Sequence, residues 1–88
     1  MESKHVLFAL STCAACKKVK ELLRENNIEH IGVDLDLVDI DSRDKLLKTV
    51  RQYNPKETFP TFVVDGGKQV IVGYNIEMYK KEFNIKGD

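Results

Sequence analysis

The chain reads as an α/β protein, with three helices packed on a four-stranded mixed sheet in the order β-α-β-α-β-β-α. Three observations carry this reading. Short apolar runs of strand length alternate with segments of helical periodicity. Two apolar runs in the second half are separated only by Asp65-Gly66-Gly67-Lys68, which is hairpin spacing. With 88 residues, 42% of them hydrophobic, there is room for one modest core, so residues 1–88 are read as a single domain.

Val6-Leu7-Phe8-Ala9-Leu10 is a continuous apolar run, expected as a central strand buried on both faces. Ser11 and Thr12 break it. From Cys13 to about Asn26 the pattern becomes helical, with Cys16, Val19 and Leu23 on one stripe and Lys17, Lys18, Glu21 and Glu25 opposite. Residues Glu29 to Leu35 read as a second strand, Ile31, Val33 and Leu35 pointing one way. Strand, helix and strand with short joints imply a right-handed unit with parallel pairing. An acidic stretch from Asp34 to Asp44 follows and reads as a solvated connection.

Asp41 or Ser42 is expected to cap a second helix over about 43–53, with Leu46, Leu47, Val50 and Tyr53 inward. Asn54-Pro55 stops it. Pro60 to Val64 and Gln69 to Val72 form the antiparallel hairpin. Gly73-Tyr74 ends the last strand, and Asn75 caps a final helix carrying Ile76, Tyr79 and Phe83 on one face. The tail after Ile85 is expected to be loose. This element order is that of a minimal thioredoxin fold.

Composition removes several classes of function. Fourteen basic residues balance fourteen acidic ones, so no general attraction to nucleic acid or membrane is expected. No apolar run approaches the roughly 20 residues that cross a bilayer. The start, Met1-Glu2-Ser3-Lys4-His5, lacks the basic and apolar regions of a signal peptide, so a cytoplasmic protein is expected, and a monomer. In that compartment two cysteines three apart point to catalysis or metal binding rather than to a structural disulfide.

The chemistry centres on Cys13-Ala14-Ala15-Cys16, which contains both cysteines of the chain and follows directly on a strand and a turn. Cys13 falls at or just before the first helical residue, where unpaired amides and the helix dipole favour an anion. The amides of Ala15 and Cys16 are its expected donors. Motifs of this kind lower a thiol from about 8.5 to roughly 3.5–7.5. Cys16 lies one turn further in, on the buried stripe, and is expected to stay protonated until needed. Cys13 is thus the expected nucleophile toward a disulfide, and Cys16 the thiol that resolves the mixed disulfide.

These residue types also serve other chemistry. A single-chain zinc site needs four ligands, and only His5 and His30 remain, from separate strands, so no metal is expected. An iron–sulfur or other metal centre shared by two chains through their cysteine pairs is the alternative class, together with a noncatalytic adaptor. Pro60 at a strand start is by default trans; a cis bond facing Cys13 would free the preceding backbone to pair with an extended substrate. Gly73 permits a positive φ or a close backbone approach. Tyr74 is either a rim residue or an exposed aromatic. His30 reads as an outward strand residue.

From about Val6 to Tyr79 the chain resembles the glutaredoxin family. The marks are Ser11-Thr12-Cys13-Ala14-Ala15-Cys16-Lys17 after an apolar strand, Thr58-Phe59-Pro60 where the family has Thr-Val-Pro, Asp65-Gly66-Gly67, and Gly73. The resemblance implies a thioredoxin fold, a cis Pro60, Cys13 as nucleophile and Cys16 as resolving thiol. It also implies substrate contacts from Thr12, Ala14, Phe59, Pro60, Gly73 and Tyr74. It implies no resident cofactor, with glutathione as the family's usual co-substrate.

The chain departs from the pattern at three places. Ala14-Ala15 replaces Pro-Tyr, Leu10 stands where a lysine holds a glutathione carboxylate, and Tyr74-Asn75 replaces an acidic pair. Each lost charge-assisted contact weakens glutathione binding by about 1.5–3 kcal/mol. In these departures the chain resembles the glutaredoxin-like redoxins reduced by thioredoxin reductase, and that resemblance implies thioredoxin reductase as the reductant, with glutathione the alternative, and a disulfide-containing protein as the substrate.

Overall fold

The computed structural model describes residues 4–85. The elements are β1 (Val6–Ala9), α1 (Ala14–Glu25), β2 (Ile31–Asp34), α2 (Ile40–Tyr53), β3 (Thr61–Val64), a 3-10 turn (Asp65–Gly67), β4 (Gln69–Val72) and α3 (Ile76–Phe83). The strand order is β2-β1-β3-β4. β1 pairs parallel with β2 and antiparallel with β3, and β3 pairs antiparallel with β4. This is the mixed sheet expected from the order of elements. The loose tail expected after Ile85 lies outside the described residues.

Alternation along the strands sorts the core into two layers. Leu7 and Ala9 of β1, Phe62 and Val64 of β3, and Ile71 of β4 face Cys16, Val19 and Leu23 of α1 and Tyr79 of α3. Phe8 and Val63 point the other way, onto Leu35 and Val50 of α2. β1 is buried throughout Leu7–Ala9 because it lies inside the sheet with a helix layer on each face. Phe59 packs against both clusters, so the segment entering β3 is held from both sides.

Four expectations need correction. α2 begins at Ile40, three residues earlier than its apolar pattern indicates, because Asp39 is the cap. Its Oδ1 accepts from the Ser42 amide at 2.7 Å. The second strand is shorter than Glu29 to Leu35, and Ile31 is 49% exposed, because β2 is an edge strand covered only in part. His30 is half-buried before that strand rather than outward on it. Its ring meets Phe62 edge-on at 6.1 Å, and its Nδ1 lies 2.9 Å from the Ile28 carbonyl oxygen.

The acidic stretch is more than solvated chain. Asp34 pairs with Lys20 at 2.7 Å, Asp39 caps α2, and Asp36 binds the loop ahead of Cys13. Between β3 and β4, Gly67 has φ +113, and a Cβ there would meet the Tyr53 ring at 2.9 Å. Glycine is needed at this position for both conformation and space.

Candidate active site

α1 starts where the apolar strand ends and its first amides need acceptors. Cys13 is the N-cap, with extended backbone angles, and its Sγ accepts from the Cys16 amide at 3.2 Å. The donor is Cys16, not Ala15. The Cys13 amide in turn donates to the Leu10 carbonyl at 3.2 Å, closing the turn through Ser11 and Thr12. Asp36 locks that turn from the β2–α2 connection. Its Oδ1 accepts from the Ser11 amide at 2.9 Å, and its Oδ2 accepts from the Ser11 hydroxyl. Those bonds hold the Asp36 carboxyl below the usual carboxylate range.

The two thiols differ sharply in environment. Both are free; Cys13 is partly exposed and Cys16 is fully buried on the core stripe of α1. Burial first, then a hydrogen bond with Cys13 and that neighbour's charge, push the Cys16 thiol from an ordinary 9.0 up to about 12. The Leu10 backbone and the charge of Lys20 oppose the shift. Tyr79 is also sealed in this layer, its hydroxyl without a partner among the described residues. Burial, and then the charge of Cys16, hold its phenol well above the ordinary value.

Folding therefore favours the protonated form of Cys16. The stability this contributes is complete below pH 9.0 and is lost as pH rises toward about 12. Above pH 9.0 this thiol is expected to lower unfolding stability by up to about 1.4 kcal/mol per pH unit. Denaturant titrations below and above that pH, on wild type and Cys16→Ala, check it. The variant should lack this share of the alkaline loss.

The Phe59–Pro60 peptide bond is cis, as the family resemblance implies and as residue type alone does not decide. The Cys13 thiol points at the Phe59 carbonyl oxygen, 3.9 Å away. Pro60 is itself fully buried, so the accessible part of this segment is Phe59. Its bend is braced by Asn54, a residue the sequence reading treats only as a helix stop. The Asn54 Nδ2 donates to the Thr58 carbonyl, the Thr58 hydroxyl and the Thr61 hydroxyl at 3.0–3.1 Å, and Thr61 donates to the Thr58 carbonyl at 2.7 Å.

Gly73 joins from the end of β4. Its amide donates to the Pro60 carbonyl at 2.8 Å, and its φ is +76 with open space where a Cβ would be. Glycine serves conformation here, not close approach. Tyr74, the next residue, is 42% exposed with the Lys18 ammonium 5.7 Å from its ring centre. Thr12 and Ala14 are exposed on either side of Cys13.

The fold thus gathers Cys13, Cys16, Phe59, Pro60 and Gly73 within a chain of direct contacts. Tyr74 stands outside those contacts. Asp36 and Asn54 are the supporting residues that sequence reasoning missed. Asp36 lies 25 residues from the serine it binds, and nothing in the chain marks that pairing. Among the described residues, no group of three or more His, Cys, Asp or Glu side chains is placed to hold a metal ion. No helix among them is long and apolar enough to cross a membrane.

These elements define a class: a thioredoxin-type domain with two free cysteines at a helix start facing a cis proline. The glutaredoxin family model matches residues 5–70, and the chain belongs to the glutaredoxin family. Methanoredoxin of Methanosarcina acetivorans is 30% identical, with a TM-score of 0.88 over 94% of this chain and 86% of that one. A glutaredoxin from Methanosarcina mazei Go1 is 28% identical, with a TM-score of 0.85 over 94% and 80%. A buckwheat glutaredoxin solved as a glutathione complex shares the fold at 22% identity and a TM-score of 0.71, over 93% and 71%. No curated protein matches in sequence. Family and cysteine pair together support a thiol redox function.

Proposed function

We propose that the protein is a dithiol–disulfide oxidoreductase that reduces disulfides of proteins or small molecules. The thiolate of Cys13 attacks one sulfur of the substrate disulfide; that S–S bond breaks and the first substrate thiolate leaves. Cys16 then gives up its proton and attacks Cys13 Sγ in the mixed disulfide. The second substrate thiol departs with that proton, and the protein is left with a Cys13–Cys16 disulfide. A two-electron dithiol donor restores it.

The observation that carries the reading is the contrast between the two sulfurs. One caps a helix at the surface beside Phe59; the other is sealed beneath it and held protonated by burial. Geometry suits each to one step. A partly exposed sulfur that accepts an amide hydrogen bond is a good attacking group. A buried sulfur on the residue whose amide binds the first sulfur is shielded from outside disulfides, yet it lies one helical turn from the intermediate.

Charge bears on the choice of reductant. Leu10 places no cation beside the active-site turn, and Tyr74-Asn75 brings no carboxylate for an amino group. Both absences disfavour glutathione, and the likeness to redoxins served by thioredoxin reductase supports that enzyme as the electron donor of a protein we read as a cytoplasmic monomer. Turnover of a small disulfide should be at least about tenfold faster with thioredoxin reductase and NADPH than with glutathione and its reductase, the scale set by one lost charge-assisted contact. Equal or reversed rates would restore glutathione as donor, and no turnover with either would remove the exchange reading.

A further inference from the structure

Beside the active-site turn lies a cavity of about 260 Å³, lined by Leu10, Leu35, Asp36, Arg43, Leu47 and Phe59. We propose that this cavity is a specificity subsite. It receives one apolar side chain from a polypeptide substrate, carried within two residues of the cysteine under attack. The inference rests on the exchange reading above and adds to it the class of substrate.

Position is the first argument. Two of the residues that line the cavity also hydrogen-bond Cys13. Phe59 contributes its side chain to the cavity and its carbonyl oxygen to the Cys13 thiol, 3.9 Å away. Leu10 contributes its side chain to the cavity and its carbonyl oxygen to the Cys13 amide. A substrate sulfur bonded to Cys13 therefore has its neighbouring residues beside this opening. An extended chain advances about 3.3 Å per residue, so the residues nearest the attacked cysteine are the first brought to it.

Chemistry is the second argument. Four of the six walls are aliphatic or aromatic. The Arg43 guanidinium is spent on backbone, its Nε on the Leu35 carbonyl at 2.8 Å and its Nη2 on the Asp36 and Val38 carbonyls at 3.3 Å. The Asp36 carboxylate at the rim repels another carboxylate. The cavity thus disfavours an anionic flank and favours a leucine-like one. Its volume falls below the roughly 300–1,000 Å³ of whole small-molecule sites, which suits a single side chain.

The third argument is the surface next to it. Leu37 and Ile40 are each 69% exposed; Leu37 follows Leu35 and Asp36 on the connection, and Ile40 opens α2, the helix that carries the lining residues Arg43 and Leu47. Exposed large apolar side chains beside an apolar recess mark a protein partner's footprint better than a small ligand's.

The test uses disulfide-linked pentapeptides with a central cysteine. Four carry a single leucine, one at each flanking position in turn, on a serine background; a fifth has serine throughout. Burying a leucine side chain predicts that one leucine peptide exceeds the all-serine peptide about tenfold in kcat/KM. The ratio should collapse to within about threefold in Leu47→Ala, whose wall is lost while both cysteines stay. Equal turnover of all five peptides by wild type would overturn the subsite and leave the exchange reading standing. A preference that survives Leu47→Ala would also overturn it. Turnover of none would strike the exchange reading itself, and this proposal with it. The peptide ratio in wild type decides the matter even if Leu47→Ala fails to fold.

Discussion

Cys13→Ser should reduce turnover of a small disulfide to the uncatalysed rate, a loss of at least about 1,000-fold. The chain has only one other sulfur nucleophile, Cys16, and it is fully buried. A serine hydroxyl at position 13 stays protonated near neutral pH and does not attack a disulfide. Serine is also among the best helix N-caps, so its Oγ can take over the amide hydrogen bond that Sγ now accepts from Cys16. Helix α1 and its core stripe should therefore survive. The expected pair of results is abolished turnover with an unfolding midpoint close to wild type. A variant that keeps more than a tenth of the activity would show that the reaction does not begin at Cys13.

Cys16→Ser produces a different defect. The first step needs only Cys13, so attack and release of the first substrate thiol proceed. The second step needs a sulfur beneath Cys13, and serine supplies none. With a protein or peptide disulfide and no added thiol, the variant should accumulate a stoichiometric mixed disulfide at Cys13, seen by intact mass and lost on reduction. Multiple turnover should fall at least about 100-fold while a single-turnover burst remains. A variant that turns over at the wild-type rate would mean that an outside thiol resolves the intermediate, and that the buried sulfur is only a packing group.

The two variants rest on features of unequal legibility. α1 and its cysteines could be read directly, because Cys16, Val19 and Leu23 repeat at helical spacing and all three are buried in the fold. β1 was equally plain, since an uninterrupted apolar run has no solvent face. α2 was harder. Asp41 and Ser42 are both good caps, yet Asp39 caps the helix and Ile40, its first residue, is 69% exposed.

Edge position explains Ile31. Alternation says which residues share a side of a strand, but not whether anything covers that side. Asp36 and Asn54 were invisible for another reason. Each acts through hydrogen bonds that the fold creates, to Ser11 across 25 residues and to Thr58 and Thr61 around a bend. Residue type allows such contacts everywhere in a polar chain, and only the fold selects among them. The cis bond at Pro60 came from family likeness, since the trans preference of about 0.5–1 kcal/mol for such bonds is too small for sequence physics to overrule or rely on.

What the whole account needs is one sulfur open to reagents and one closed to them. The direct measurement is alkylation of the folded, fully reduced protein with limiting iodoacetamide at neutral pH, mapped by peptide mass. Modification of Cys13 alone, with Cys16 joining only on unfolding, is the predicted result. Modification of Cys16 at a rate equal to or above that of Cys13 would contradict it.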